Sequence, residues 1–258
     1  MALEGERSCG IIKVVLQYPP MKQAVIKSEM MRRVLDSAAD FQQLVPDAVM
    51  VGGSAVSAYT GHRQSFDHDH VLTDLAERFA SIFEFLAEQE KWHTAHVRQG
   101  KVILGSFENI ETGLRQLRRC RPLETERLAL PEGKTLVVPT LDEILRVKAF
   151  LITNRNQTRD FLDVAALADR FGMAWGARVL SLIDQYYEKA LSSSGSVAAD
   201  LIRMLGAPDP KDSSTTRALS SYKGLDARYH DWGSVMNICK HLAAAIIATG
   251  GNHDIPKS

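Results

Sequence analysis

The chain of 258 residues carries no net charge, because 31 lysines and arginines balance 31 aspartates and glutamates. No global field therefore draws it to a polyanion, and any contact with nucleic acid must come from a local patch. Cysteine is scarce. Cys9, Cys120 and Cys239 lie far apart, which excludes a disulfide framework or a cysteine zinc site and fits a reducing, cytoplasmic compartment. Long apolar runs are missing too; LAAAIIATG near the C-terminal end is too short to cross a bilayer, so no membrane association is expected. The opening segment, MALEGERSCGIIKVVLQYPP, has no basic stretch followed by a long apolar one, so no signal peptide is expected. No repeat and no low-complexity array is visible. What is present, 45% apolar and 24% charged residues, is ordinary for a globular protein able to bury a full core.

The hydrophobic pattern changes character near the middle of the chain. Met21 to Leu44 reads as a helix, Ala48 to Val51 as a buried strand, Ser65 to Leu72 as a second strand and Thr73 to Gln89 as an amphipathic helix. From Lys91 to Val138 short runs (WHTAHV, KVILG, NIETGLRQL, TLVVP) alternate with turn residues and read as strands. Pro139 followed by Thr140-x-x-Glu143 is a capping-box pattern opening a helix near residues 140–153. Further helices are expected over Asn156 to Phe171, Ala174 to Leu191, Val197 to Leu205 and Trp232 to Ala248. Ala207 to Gly224, rich in Pro, Asp, Ser and Thr, reads as a loop or mobile linker. The expected layout is a mixed α/β half, residues 1–139, followed by a helical half, residues 140–258.

The most informative stretch is AVMVGGSAVSAYTGHRQSFDHDHVL. A strand meets Gly52-Gly53-Ser54, small residues suited to one short helix follow, and Gly61 supplies a stop. Alternation on the next strand points Asp67 and Asp69 the same way, with His68 and His70 on the opposite face. Two neighbouring carboxylates repel each other, a cost relieved by a divalent cation between them. The glycine pair lets backbone approach a ligand, and the helix N-terminus favours phosphate. Each piece alone has a plainer reading: a solvated acidic pair, or a turn with Ser54 as the helix cap. Together they suggest a site for a metal-bound nucleoside triphosphate.

This ordered set resembles the signature of the nucleotidyltransferase fold shared by the DNA polymerase beta superfamily. The longer string GHRxSxDxD is similar to one branch, the AbiEii-type nucleotidyltransferase toxins that include the MenT group, over roughly residues 45–172. The resemblance implies an α/β (α+β) nucleotidyltransferase-fold mixed sheet with flanking helices, completed by the helical half. It implies Asp67 and Asp69 as ligands of Mg²⁺ or Mn²⁺, with a third carboxylate from a neighbouring strand. Glu108 and Glu111 are the candidates, and Glu111 is favoured. Gly52, Gly53 and Ser54 would cradle the NTP, supported by Arg63 and Ser65. Lys148, a cation amid an apolar helical stripe, would hold the phosphates; its plainer reading is a lysine snorkelling to solvent. In RDFLD, Asp160 would be the catalytic acid, as a base or as a holder of Lys148, and Asp163 an anchor between helices. Arg155 and Arg159 would touch phosphate or face solvent. Arg115, Arg118, Arg119 and Arg121 form a basic run that is either a solvated face or a grip on RNA. By the same resemblance the acceptor is a tRNA 3′ end and the chain a toxin with a cognate antitoxin.

Two other classes compete. One is a non-catalytic nucleotide-binding protein on the same fold, against which the intact acids argue; a transferase acting on a protein or small molecule is a variant of the leading reading. The other is a His-Asp metal phosphohydrolase, suggested by His68-Asp69, His230-Asp231 and His253-Asp254. It would need a helical bundle where His68-Asp69 reads as strand.

Overall fold

The computed structural model describes residues 22–117, 119, 121–187 and 193–251. The readings of the N-terminal segment, of Cys9, Cys120 and Arg118, of the helix end at residues 188–191 and of His253-Asp254 lie outside the described residues.

Helix α1 (Glu29–Leu44) begins where the Ser28 hydroxyl accepts the Met31 N–H at 3.1 Å. This is later than the expected Met21, because the chain before it is drawn out beside another strand: the Ala24 N–H donates to the Ala129 carbonyl and the Ala129 N–H to the Lys22 carbonyl. Strand β1 (Val49–Val51) leads into α2 (Gly52–Thr60), which stops at Gly61 with φ 61°. Strand β2 (Asp67–Leu72), helix α3 (Leu75–Ala87) and strands β3 (Trp92–Arg98), β4 (Val102–Phe107) and β5 (Ile110–Gln116) follow. They form a five-stranded sheet in the order β1-β2-β5-β4-β3. Only the β2–β5 pairing is parallel; it sets Asp67 beside Glu111 and Asp69 beside Gly113. Strands β6 (Thr125–Ala129) and β7 (Thr135–Pro139) make a separate antiparallel pair, of which the sequence reading had recognised only the second.

The helical half comprises α4 (Leu141–Arg155), α5 (Thr158–Phe171), α6 (Met173–Leu180), α7 (Val197–Gly206), the single turn α8 (Ser213–Thr216) and α9 (Trp232–Gly251). Helix α6 is shorter than expected. Only half of the expected capping box forms: the Thr140 hydroxyl accepts the Glu143 N–H at 3.4 Å, but the Glu143 carboxylate turns away to Arg119. The segment read as a mobile linker is folded against the body instead. The Thr158 N–H and hydroxyl both reach Asp212 Oδ1 at 2.7 Å, the Asn156 amide donates to the Asp209 carbonyl, and the Asp226 N–H donates to the His62 carbonyl. Polar composition misled here because those polar groups are spent on docking rather than hydration.

The sheet separates two apolar cores. Phe41, Leu72, Leu75, Ile103 and Leu114 fill the side covered by α1 and α3. The larger core, from Leu35 and Met50 through Leu128 and Ile144 to Phe161 and Leu242, runs across the 139/140 boundary. The fold is mixed α/β with helices flanking the sheet, as the pattern implied.

His68 and His70 point into the smaller core, opposite the aspartates. His68 Nδ1 lies 3.0 Å from His70 Nε2, and His68 Nε2 lies 3.2 Å from both the Ser37 and Thr112 hydroxyls. Burial pushes His68 down to about 4, against a small opposing pull from Asp67, and burial followed by His68 holds His70 well below its ordinary range. Both are neutral in the folded protein at neutral pH. An unfolded chain takes up a proton near the ordinary value of 6.5 that folded His68 refuses until about 4, so their contribution is complete above pH 6.5 and is lost as pH falls towards 4. The loss should be on the order of 1–3 kcal/mol, or roughly 5 °C in Tm. A thermal melt series across that window should show it, with a shallower slope for His68→Gln; equal slopes would exclude the imidazole pair as the cause.

Candidate active site

The opposite face of β2 forms the floor of a cleft of about 490 Å³. Asp67, Asp69 and Val71 line it with Glu111 and Gly113 of β5. Gly52 and Gly53 at the start of α2 form one wall; Lys148, Arg155 and Arg159 from α4 and α5 form another. The Asp67 carboxylate is held by the Ser65 hydroxyl, which donates to Oδ1 at 3.0 Å. Asp69 pairs with the exposed Arg115 at 3.3 Å. Gly113 is needed here: a Cβ on it would lie 2.2 Å from Asp69 Oδ1. Glu108 is elsewhere, in the β4–β5 turn, paired with Lys91 at 2.5 Å. Of the two sequence candidates only Glu111 reaches the cleft.

The donor set is all oxygen, which suits Mg²⁺ or Mn²⁺ rather than a soft metal. Among the described residues no group of three or more His, Cys, Asp or Glu side chains is assembled as a ready-made metal cage. A pair of carboxylates open to solvent fits a Mg²⁺ that keeps waters and substrate phosphate oxygens in its shell.

Helix α2 starts at Gly52 with Val51 as its cap and no side-chain hydrogen bond to its first turn. Its orphan N–H groups therefore face the cleft beside two glycines. Ser54 is neither cap nor wall residue. It is 2% exposed and its hydroxyl donates to the Asp67 carbonyl, so it ties α2 to β2. Gly53 has a second role, since a Cβ there would lie 2.2 Å from Arg63 Nη2. The missing side chain makes room for the guanidinium.

Behind the wall lies a buried ion network centred on Asp163. Its carboxylate accepts Arg63 Nε at 3.0 Å and Nη2 at 3.2 Å, His62 Nε2 at 2.9 Å and Lys148 Nζ at 2.7 Å. Burial alone would raise Asp163, but Arg63, Lys148 and His62 outweigh it and hold the carboxyl well below the usual range. Burial lowers His62, so the neutral imidazole donates its Nε2–H. Arg63 is raised because Asp163 overcomes the opposing effect of burial. Asp160 is fully buried and gripped by Arg155 at 2.6 and 2.7 Å, with Lys148 at 3.8 Å. Lys148 does not snorkel: it is 2% exposed and bridges the two acids at the cleft wall. Asp160 stands behind Arg155 and Lys148 rather than on the surface of the cleft.

Three further placements differ from the sequence expectations. The Arg119 side chain is not a solvated or RNA-facing group but is buried against Glu143, with Nη2 2.9 Å from Oε2. Arg121, by contrast, is exposed, as the solvated-face reading of the run has it, with its guanidinium over the Tyr186 ring at 5.3 Å. Tyr222 and Lys223, inside the segment read as linker, line the cleft. No periodicity or motif marks those two; only the docking of residues 207–231 brings them there.

No family model matches the chain. It is 38% identical over 126 residues to the mycolic acid-containing lipids exporter MmpL11 of Mycolicibacterium smegmatis, a stretch covering 49% of this chain and 13% of that protein. It is 28% identical over 244 residues to the heme uptake protein MmpL11 of Mycobacterium tuberculosis, covering 87% of this chain and 23% of that protein. The chain thus spans less than a quarter of the length of these relatives. Among the described residues no helix is long and apolar enough to cross a membrane. Among solved structures, MenT4, a nucleotidyltransferase toxin from Mycobacterium tuberculosis H37Rv, superposes with a TM-score of 0.53 at 14% identity, over 88% of this chain and 84% of that one. The fold is a nucleotidyltransferase fold.

Removing Asp163 leaves the Arg63 and Lys148 cations buried without their shared partner. Asp163→Ala should therefore cost about 3–5 kcal/mol, lowering Tm by roughly 10 °C. A melting temperature within about 2 °C of wild type would show that the network is not structural.

Proposed function

We propose that this chain is a divalent-metal-dependent nucleotidyltransferase that moves a nucleotide from an NTP to an acceptor hydroxyl. The observation that carries the proposal is the facing of Asp67 and Asp69, on one side of β2, towards the uncapped glycine start of α2 across a cleft walled by Arg63, Lys148 and Arg155. A carboxylate pair, an anion-binding helix terminus and a cationic wall are the parts that phosphoryl chemistry requires in one place.

Asp67 and Asp69 would hold the ion, with Glu111 beside Asp67 in register as a further oxygen ligand. When bound, Mg²⁺ supplies charge neutralisation at the reacting phosphate, an effect worth several kcal/mol. Ser65 orients the Asp67 carboxylate. The first-turn N–H groups of α2 and the Lys148 ammonium hold the leaving phosphates. Asp160 and Asp163 act from behind by fixing Arg155, Lys148 and Arg63, so that the cations need little rearrangement when substrate arrives. The proton lost by the attacking hydroxyl has the floor carboxylates Asp67, Asp69 and Glu111 as acceptors.

The finer reading places the chain with the AbiEii and MenT toxins, acting in the cytoplasm on a tRNA 3′ end and restrained by a cognate antitoxin. The GHRxSxDxD string and the fold shared with MenT4 support it.

Incubation with each labelled triphosphate, Mg²⁺ and total RNA tests the proposal. Asp69→Ala should reduce transfer by orders of magnitude with a nearly unchanged Tm, because its ion pair with Arg115 is exposed and such pairs contribute at most about 1 kcal/mol. Equal transfer by the variant would overturn the assignment of the aspartates. Gly113→Ala removes no acid but crowds Asp69 Oδ1, and should lower transfer roughly 10- to 100-fold by displacing that carboxylate. Full activity in Gly113→Ala would show that the position of Asp69 is not critical.

A further inference from the structure

Five aliphatic side chains in the cleft belong to neither apolar core. Val71 of β2, Leu117 just past β5, Leu123, and Val147 and Leu151 of α4 line the cleft half-buried, outside both clusters that hold the fold together. They gather at one end. Leu117 is fastened beside the end of β2, its N–H donating to the Leu72 carbonyl at 2.8 Å. Leu123 is fastened to the start of α4 through its neighbour Glu124. The Glu124 carbonyl accepts the Thr140 N–H at 2.9 Å, and its carboxylate accepts Arg146 Nη2 at 2.9 Å. The buried Arg119–Glu143 pair closes the same junction. From there α4 runs back towards the cations: Val147, Leu151 and Arg155 follow at four-residue steps along one helix face.

The chemistry along the cleft therefore has an order. Arg63, Lys223 and the glycine start of α2 stand at the Asp67 end, the two carboxylates lie between, and the aliphatic group lies beyond Asp69. That order matches a nucleoside triphosphate laid from its phosphates, through the reacting phosphate at the acids, to its base. Asp69 to Val71 is one same-face step of the strand, roughly 7 Å at about 3.3 Å per residue, which leaves a place for the sugar. Past Asp69 the one polar side chain among the described lining residues is Arg115, which is exposed and paired with Asp69. Arginine donates hydrogen bonds and accepts none. The exocyclic amine of a base thus meets no side-chain acceptor among them.

We propose that this compartment holds the base of the donor triphosphate by its faces and leaves its edges unread, so that the protein accepts purine and pyrimidine triphosphates alike. This rests on the nucleotidyltransferase reading and assigns the donor's direction and base selectivity within it. Aliphatic walls remove the flat faces of any base from water. They separate ligands of similar size by no more than about 100-fold, whereas sites that hydrogen-bond a ligand's edge reach about 10⁴-fold.

Calorimetric titration of the whole chain in Mg²⁺ with ATP, GTP, CTP, UTP and inorganic tripolyphosphate tests this. The four nucleotides should bind within about 100-fold of one another, and tripolyphosphate, which has no base, at least about 10-fold more weakly than any of them. Val147→Asn and Leu123→Asn should each weaken every nucleotide by roughly 5- to 50-fold and leave tripolyphosphate binding as in wild type. Both side chains are half-buried at the cleft and outside the cores, so a melt should show the variants folded. Tripolyphosphate bound by wild type as tightly as the nucleotides would overturn the proposal while leaving the phosphate site standing. A preference for one nucleotide beyond about 100-fold would overturn it as well, since that requires contacts to base edges. So would folded variants that bind nucleotides like wild type, or that lose tripolyphosphate in equal measure. A wild type that binds neither nucleotide nor tripolyphosphate would bring down the transferase reading itself.

Discussion

One buried carboxylate holds the candidate site together. Asp163 lies in the middle of α5 with no access to water, and it is ionised only because Arg63, Lys148 and the His62 N–H converge on it. Those partners come from the α2–β2 connection and from α4. The carboxylate therefore joins the sheet half of the molecule to the helical half at the point where the cleft opens. A buried ion pair seldom adds net stability compared with an apolar substitute, but a broken one is costly. The network's value lies in placement: it fixes Arg63 over Gly53 and keeps Lys148 at the wall.

The same economy of space governs β2. Alternation sends His68 and His70 into a dry core and Asp67 and Asp69 into the cleft, so one short strand serves two incompatible environments. Each arrangement needs a neighbour without a side chain. Gly113 leaves room for Asp69 and Gly53 for Arg63. The wall cations Arg63, Lys148 and Arg155 are partly balanced by Asp160 and Asp163, which leaves the wall modestly positive and ready for phosphate.

The segment from Ala207 to Asp231 closes the mouth. Its contacts are both polar and apolar: Asp212 meets Thr158, Asp226 meets Lys27 and the Gln64 N–H meets the Lys223 carbonyl, while Leu219, Leu225 and Tyr229 are buried in the larger core. Those buried anchors and hydrogen bonds together hold the segment in place and bring Tyr222 and Lys223 to the cleft.

Much of this was legible in the residues themselves. The strand, glycine pair, short helix and Asp-x-Asp strand are local features; steric freedom, capping and alternation fix them within a few residues. The same holds for the placement of the histidines opposite the aspartates, and for the oddity of Lys148, a charge in an apolar stripe that required a partner. The sequence did not reveal which partner. Asp160 and Asp163 are both one helical turn apart on α5, and only the packing of α4 against α5 and the β2 approach gave Asp163 three partners and Asp160 chiefly Arg155. Ser54 read as a helix cap because it follows two glycines, yet the strand beside it claimed its hydroxyl. Arg119 read as a surface charge because its neighbours are arginines, yet Glu143 drew it inside. Lys223 was unreadable, since nothing within its own stretch of chain records that the sheet's acids lie across from it. Local sterics and periodicity act over a few residues and are written in the sequence; the pairing of charges and the walls of a cleft depend on which distant segments meet, and that was settled only by the packing of the two halves.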